Sequence, residues 1–294
     1  MFHERALTKG TRHAATQKTT CRETGLSFLK HISKVLVVAA HPDDETIGAG
    51  ALLRGISSNV RIIHMTDGAP RNGLDATALG FATVAAYARR RRSELERAVG
   101  EAGIRPRQLT HFGIPDQELT HCLPEAIQKL RTLIEEFAPA VILTHPYEGG
   151  HPDHDSTALA VFIATALVAQ TCQRPPMVVE FTSYHAKIAN AASKHREMET
   201  ATFLPVTTSP EFTLTLSTEE QVQKCLMFAH FETQREVLKN FQVSVEKFRR
   251  APSYDFTQAP HPGPLFYENH PRAWTWGMTG KKWRQKAAEV LPCL

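Results

Sequence analysis

Long apolar runs are missing from this 294-residue sequence. None approaches the ~18 residues of a membrane span, so an integral membrane helix is not expected. The opening stretch, MFHERALTKGTRHAATQKTTCRETG, has no apolar h-region and does not read as a secretory signal. Cysteine is sparse. Cys21, Cys122, Cys172, Cys225 and Cys293 are scattered, and none forms a C-x-x-C pair. That excludes a disulfide scaffold and a cysteine zinc knuckle, and it suits a reducing cytoplasm. There is no G-x-S-x-G elbow to carry a serine nucleophile. A strong charge bias is absent too: the net charge of +4 is too small a basic excess to point to a polyanionic partner. No internal repeat or low-complexity tract divides the chain.

What is there reads as an ordinary globular chain, 42% hydrophobic and 22% charged. Residues 1–30 are polar and basic, with Arg5, Lys9, Arg12, Lys18 and Arg22, and are expected to form a disordered extension. Residues 31–294 are expected to form one domain, with an elaborated C-terminal region from about residue 190.

Val35–Ala40 is an unbroken apolar run, as in a strand buried on both faces. Further strands are predicted at 60–65, 108–112, 141–144, 177–184 and 212–216. Helices are predicted from near Thr46, and at 81–99, 124–137, 156–169 and 219–241, the last with a capping pair in Ser217 and Glu220. A final short helix starts near Lys281. The aromatic, Pro- and Gly-rich tail before it should wrap over the domain in extended form, because its aromatics need somewhere to pack. Alternating strands and helices predict an α/β fold with an open, mostly parallel sheet and helices on both faces. Ligands of such sheets bind outside the carboxyl ends of the strands.

Two clusters fall at such ends, His41-Pro42-Asp43-Asp44 and His151-Pro152-Asp153-His154. Together they offer three imidazoles and three carboxylates. That is enough for a catalytic zinc site with three His/Asp ligands, an open position, and a further carboxylate to take a proton from water. Either motif alone reads equally well as a turn or a helix cap. The repeat of His-Pro-Asp at two strand ends favours the metal.

Taken in order, AHPDDE, TDGAP, the R-x-x-E-L segment from Arg91, the G-I-P-D loop ending at Asp116 and G-G-H-P-D-H carry a resemblance. Over roughly Val35–Val168 the chain resembles the N-acetylglucosaminyl-phosphatidylinositol deacetylase family, PIG-L or LmbE-like. The resemblance implies a Rossmann-like core. It implies a zinc-dependent hydrolase that removes an acetyl or other acyl group from an N-acylated amino sugar or glycoconjugate of the N-acetylglucosamine type. His41, Asp44 and His154 would then hold one Zn2+, although iron or cobalt suits similar ligands. Asp43 would be the general base. His151 would stabilise charge or donate a proton, and Asp153 would orient a histidine. Arg91 would reach the sugar. Asp116 would bind sugar hydroxyls, with a turn role as its competitor. Some relatives place a tyrosine where this chain has Gly149, two residues before His151. The expected partner is a small amino-sugar conjugate in the cytoplasm, with no nucleic acid and no membrane span; a homo-oligomer stays open.

Three rivals stand beside this reading: a zinc amidase for a non-sugar amide, a two-metal phosphoesterase, and an inert sugar-binding module. Arg89–Arg92 does not add nucleic acid, because four consecutive helical residues cannot face one phosphate track. Gly48-Ala49-Gly50 is not a dinucleotide fingerprint, since Leu53 holds the third glycine's place. Asp67 reads as a turn former or a supporting group. His64, His111, His145, His185, His230, Glu232, Trp274 and Trp276 read as packing residues.

Overall fold

The computed structural model describes residues 34–187, 197–205, 209–269 and 277–293. The basic stretch 1–30, Trp274 and Trp276 lie outside the described residues.

Strand β1 (Val35–Ala39) is buried along its whole length. Successive side chains of a strand point to opposite faces. Leu36 and Val38 accordingly enter one core, and Val35 and Val37 another. Strand β1 pairs in parallel with β2 (Val60–Thr66) on one side and with β4 (Val141–Thr144) on the other. Beyond β2 lies β3 (Leu109–Ile114), and beyond β4 lies β5 (Met177–Phe181), both parallel. The α/β reading therefore holds, with a mostly parallel central sheet.

Helices α1 (Asp44–Gly55), α3 (Val84–Glu101) and α6 (Thr218–His230) cover one face, through Leu52, Leu53, Leu95, Val99 and Met227. Between α1 and α3 lies the short α2 (Leu74–Ala78). Helices α4 (Leu123–Phe137) and α5 (Pro152–Ala169) cover the other face, through Ile127, Leu130, Leu159 and Ile163. No helix among the described residues is long and apolar enough to cross a membrane.

The late part of the chain departs from expectation. The fifth strand stops at Phe181, and Tyr184–Ala186 (β6) pairs antiparallel with Met198–Thr200 (β7) in a separate ribbon. The helix expected over 219–241 ends at His230. Phe231 leaves helical geometry and is buried, a short turn follows, and Arg235–Leu238 (α7) resumes. Glu94 fixes that break by accepting from Thr233 Oγ1. After β8 (Glu211–Thr215) comes a strand that sequence reading missed, β9 (Val245–Arg250). It pairs antiparallel with both β5 and β8, so the sheet order is β3-β2-β1-β4-β5-β9-β8. Its sequence, VEKFRR, reads as solvated, yet Glu246, Phe248 and Arg249 are all buried.

The tail packs as its aromatics require. Tyr254, Phe256 and Leu265 join the core around Tyr147, followed by α8 (Phe266–Asn269) and α9 (Gly280–Val290). Trp283 on α9 is fully buried and stacks on Tyr147 with ring centroids 5.0 Å apart. Its indole N–H donates to Ser156 Oγ at 2.9 Å and to the Pro152 carbonyl at 3.2 Å, at the start of α5. Trp283→Ala should therefore lower unfolding stability by about 3–5 kcal/mol, the usual cost of emptying such a site. Urea unfolding followed by far-UV circular dichroism checks it.

Candidate metal centre

Where β1 ends, residues 40–43 turn into α1, and the turn is bonded from within. The His41 N–H donates to Asp44 Oδ2 at 2.8 Å, and the Asp43 N–H donates to Glu45 Oε2 at 3.1 Å. Glu45 is in turn held by His64 Nε2 at 2.9 Å, so His64 is a packed, partnered histidine as expected. Asp43 takes φ 152°, a conformation that favours glycine. Strain of this kind costs about 1–3 kcal/mol and persists only where the surroundings fix it.

Arg91 on α3 is that fixture. Its Nη2 donates to Asp43 Oδ2 at 2.9 Å and to the Pro42 carbonyl at 3.0 Å, while Nη1 donates to the Gly68 carbonyl at 2.7 Å. A Cβ at Gly68 would fall 2.8 Å from the guanidinium, so glycine in TDGAP gives Arg91 room to lie over the turn. The sequence reading sent Arg91 to the sugar. In the structure it is buried and bound to the protein's own turn. Its neighbours in the arginine run pair outward, Arg90 with Glu94 and Glu232, and Arg92 with Glu96.

The second motif belongs to α5. His151 is its N-cap, with Nδ1 accepting the Asp153 N–H at 3.1 Å. Asp153 Oδ2 accepts the Gln117 N–H at 2.6 Å, and its Oδ1 accepts the Leu119 N–H at 3.2 Å. Asp153 thus anchors the G-I-P-D loop, and its Oδ2 also lies 3.4 Å from His41 Nε2. Asp116, at the tip of that loop, reaches His41 Nε2 at 3.1 Å.

The two motifs meet. Asp44 Oδ2 is 3.1 Å from His41 Nδ1, and Asp44 Oδ1 is 3.2 Å from His154 Nε2. The two imidazole nitrogens lie 3.3 Å apart. These three side chains are buried and form a group able to hold a metal ion. A second such group, His41, Asp116, His151 and Asp153, shares His41. The first fits a cation better, because both oxygens of Asp153 are already engaged by backbone N–H groups.

Charge in the cluster follows from burial and neighbours. Burial lowers His154 to about 4 despite Asp44, which leaves a neutral ring of the kind metals bind. Burial raises Asp44, yet His154 and His145 outweigh it and hold the carboxylate well below its ordinary range. Burial pushes His41 down, but Asp116, Asp153 and Asp44 together raise it well above an ordinary imidazole. Burial raises Asp43 to about 8, against the pull of Arg91. A cation at the cluster would draw that value down again.

Sequence reading missed two residues. His145 stacks on His154 at 4.1 Å, accepts the Ala40 N–H through Nε2 at 3.1 Å, and lies 3.4 Å from Asp44. Its only signal was its place just past β4. Tyr184 on β6 packs edge-on against His154 at 5.1 Å. Burial, then the nearby charges of Asp44, Asp116, Asp43 and Asp153, raise its phenol well above the usual value, so it stays a neutral O–H. Position 149 cannot supply a tyrosine here: Gly149 has φ 70°, and a Cβ there would fall 2.7 Å from Leu265. Asp67 proves a turn former, accepting the Ala69 N–H and pairing with Arg71. His230 and Glu232 are engaged with Glu101 and Arg90.

Fold and cluster together define a Rossmann-like α/β protein with a histidine–carboxylate site at the switch between β1 and β4. Residues 36–165 match the model of the GlcNAc-PI de-N-acetylase family, PIG-L. It is 28% identical over 180 residues to a probable N-acetyl-alpha-D-glucosaminyl L-malate deacetylase 2 of Bacillus anthracis, covering 60% of this chain and 78% of that one. A 1D-myo-inositol 2-acetamido-2-deoxy-alpha-D-glucopyranoside deacetylase of Nocardioides sp. is 30% identical over 165 residues, 46% of this chain and 55% of that one. Among solved structures, a deacetylase in complex with teicoplanin superposes with TM-score 0.55 at 18% identity, covering 76% of this chain and all of that one. The N,N'-diacetylchitobiose deacetylase of Pyrococcus horikoshii gives 0.53 at 18% identity, over 79% of this chain and 90% of that one. These superpositions show the shared fold.

Titrating Zn2+ against the chain with a competing chelating indicator should find one tight ion per molecule. Asp44→Ala should weaken it by more than ~100-fold, and His151→Ala by no more than the ~10–100-fold typical of a supporting residue. Equal losses, or two ions of similar affinity, would favour the overlapping group instead.

Proposed function

We propose that this chain is a zinc-dependent deacetylase that hydrolyses the N-acetyl amide of an amino-sugar conjugate, with His41, Asp44 and His154 as the ligands. The observation that carries the reading is the meeting of the two motifs: Asp44 lies within 3.2 Å of both His41 and His154, with Asp43 next in the chain. A zinc ion held there would polarise an amide carbonyl and lower the pKa of a bound water towards about 7. The deacetylase names of the Bacillus and Nocardioides relatives, all on N-acetylglucosamine-type sugars, support the substrate class.

The protein's own groups supply the rest. Asp43, held on the strained turn by Arg91, accepts the proton of the attacking water and returns it to the departing amine, so that acetate and a free amino sugar are released. His151 has Nδ1 committed to the Asp153 N–H, which puts its ring proton on Nε2. Burial lowers its pKa well below the ordinary value, so this ring is a neutral N–H donor facing Asp116, 3.8 Å away. Tyr184 provides a second neutral donor beside His154, in the place of the tyrosine missing at 149. Asp116 and Asp153 hold His41 from behind through Nε2, which leaves Nδ1 directed at Asp44 and His154. Asp116 is thereby a supporting carboxylate, and any contact it makes with sugar is additional to that role.

The two-metal reading has one observation in its favour, the second histidine–carboxylate group that shares His41. The metal count described above separates the two.

Two kinetic outcomes are expected. With zinc-loaded protein and a panel of N-acetylglucosamine conjugates, free amine and acetate should appear in equal amounts. Asp43→Ala should lower kcat by ~10²–10⁴-fold, the range of general-base catalysis, while zinc stays bound; unchanged turnover would remove Asp43 from the role. Tyr184→Phe should lower kcat by ~10²-fold with little change in KM, as expected for a donor used in the transition state. A rise in KM at constant kcat would make Tyr184 a substrate-binding residue instead.

A further inference from the structure

Helix α1 is broken. Ala49 has φ −145° and ψ 17°, outside the helical region, so the turn bearing Asp44, Glu45 and Thr46 is set at its own angle to the rest. In an unbroken helix the Ala51 N–H would donate to the Ile47 carbonyl. At this break Lys224 Nζ donates to that carbonyl at 2.8 Å, and the Ala51 N–H donates to Glu246 Oε1 at 2.8 Å. The Leu52 N–H donates to the other Glu246 oxygen at 3.1 Å. Lys224 and Glu246 pair with each other at 2.8 Å, and both side chains are fully buried. One ion pair therefore takes both halves of the severed helical bond.

The surroundings leave the break little freedom. A Cβ at Gly48 would fall 2.1 Å from the Phe181 ring, so the backbone is pressed against β5 just before Ala49. A Cβ at Gly50 would touch the Lys224 stem at 3.5 Å. Ala49 itself is buried.

Buried ion pairs are weak sources of stability, since well-packed apolar residues often replace them without loss. This pair has a different use. Lys224 lies on α6 and Glu246 on β9, both beyond the segment that matches the family model. Neither contributes an atom to the cluster, but both hold the backbone that leads into it. We propose that Lys224 and Glu246 are positioning residues for the metal centre. By splinting α1 at Ala49 they set the direction of the turn that presents Asp44 to His41 and His154. This rests on the reading of those three residues as the ligands.

Zinc affinity measured by chelator competition tests the idea on the full chain. The variant is Lys224→Met/Glu246→Gln, which removes both charges and strands neither. Circular dichroism and the melting of the metal-free protein report its fold. The folded variant should bind zinc at least ~10-fold more weakly, and Lys224→Arg, which keeps the charge and a donor, should stay within about threefold of wild type. Wild-type affinity in the folded double variant would overturn the proposal. Absence of zinc binding by the wild type would overturn the ligand assignment beneath it. Coupling is reciprocal, so zinc must also strengthen the splint. In the wild type, zinc should slow amide exchange at Ala51 and Leu52 at least about fivefold more than in α4. Equal slowing in both places would overturn the proposal even if the double variant does not fold.

Discussion

Strands β1 and β4 are distant in sequence yet hydrogen-bonded neighbours, and the site depends on their pairing. Val35 lies opposite Val141 and Val38 opposite Thr144, so both strands finish at one rim of the sheet. Side-chain bonds then tie the finished ends. Thr144 Oγ1 donates to the Val38 carbonyl, Thr66 Oγ1 donates to the Ala40 carbonyl, and the Ala40 N–H donates to His145. The chain continues from β1 to β2 on one side and from β4 to β5 on the other. That reversal opens the crevice in which such sheets bind ligands. His41–Asp44 and His145–His154 enter it from opposite sides because no other course is open to them.

Filling a crevice this way gathers charge where water is scarce. Asp43, Asp44, Asp153 and Arg91 are all buried, with Asp116 nearly so. Buried charges persist only when paired. Arg91 answers Asp43, and the imidazoles answer Asp44 and Asp116. The same crowding explains the chain of supports behind each residue, from Asp43 through Glu45 to His64, and from His41 through Asp116 and Asp153 to the backbone of the G-I-P-D loop. The strained φ of Asp43 is tolerated because its N–H, its carboxylate and the preceding carbonyl are all held.

Much of this was legible from the order of residues. Strands buried on both faces leave apolar runs, unbroken in β1 and at Val141–Leu143 of β4 and interrupted by Arg61 and His64 in β2, so all three were visible, and the two His-Pro-Asp motifs marked the ends that matter. What escaped notice depends on partners supplied from afar. Strand β9 looked solvated because Glu246 and Arg249 are charged, and only the fold reveals Lys224 and Glu180 waiting for them. Helix 219–241 looked continuous because nothing local announces that Glu94 will capture Thr233. His145 has no motif, only a position. Arg91 was found, but its direction was not. Whether a guanidinium faces a ligand or the protein's own turn is decided by Gly68 and Pro42, which its helix does not contain.

The order of strands also bears on how the chain divides. The family-matched segment 36–165 ends before β5, β9 and β8, and before Trp283. Cut there, the sheet would finish at β4, whose Val141, Ile142 and Leu143 are fully covered in the whole chain. A bare apolar edge with unpaired backbone groups is a template for self-association. The edge of β4 is thus covered by β5, a strand that lies beyond the matched segment.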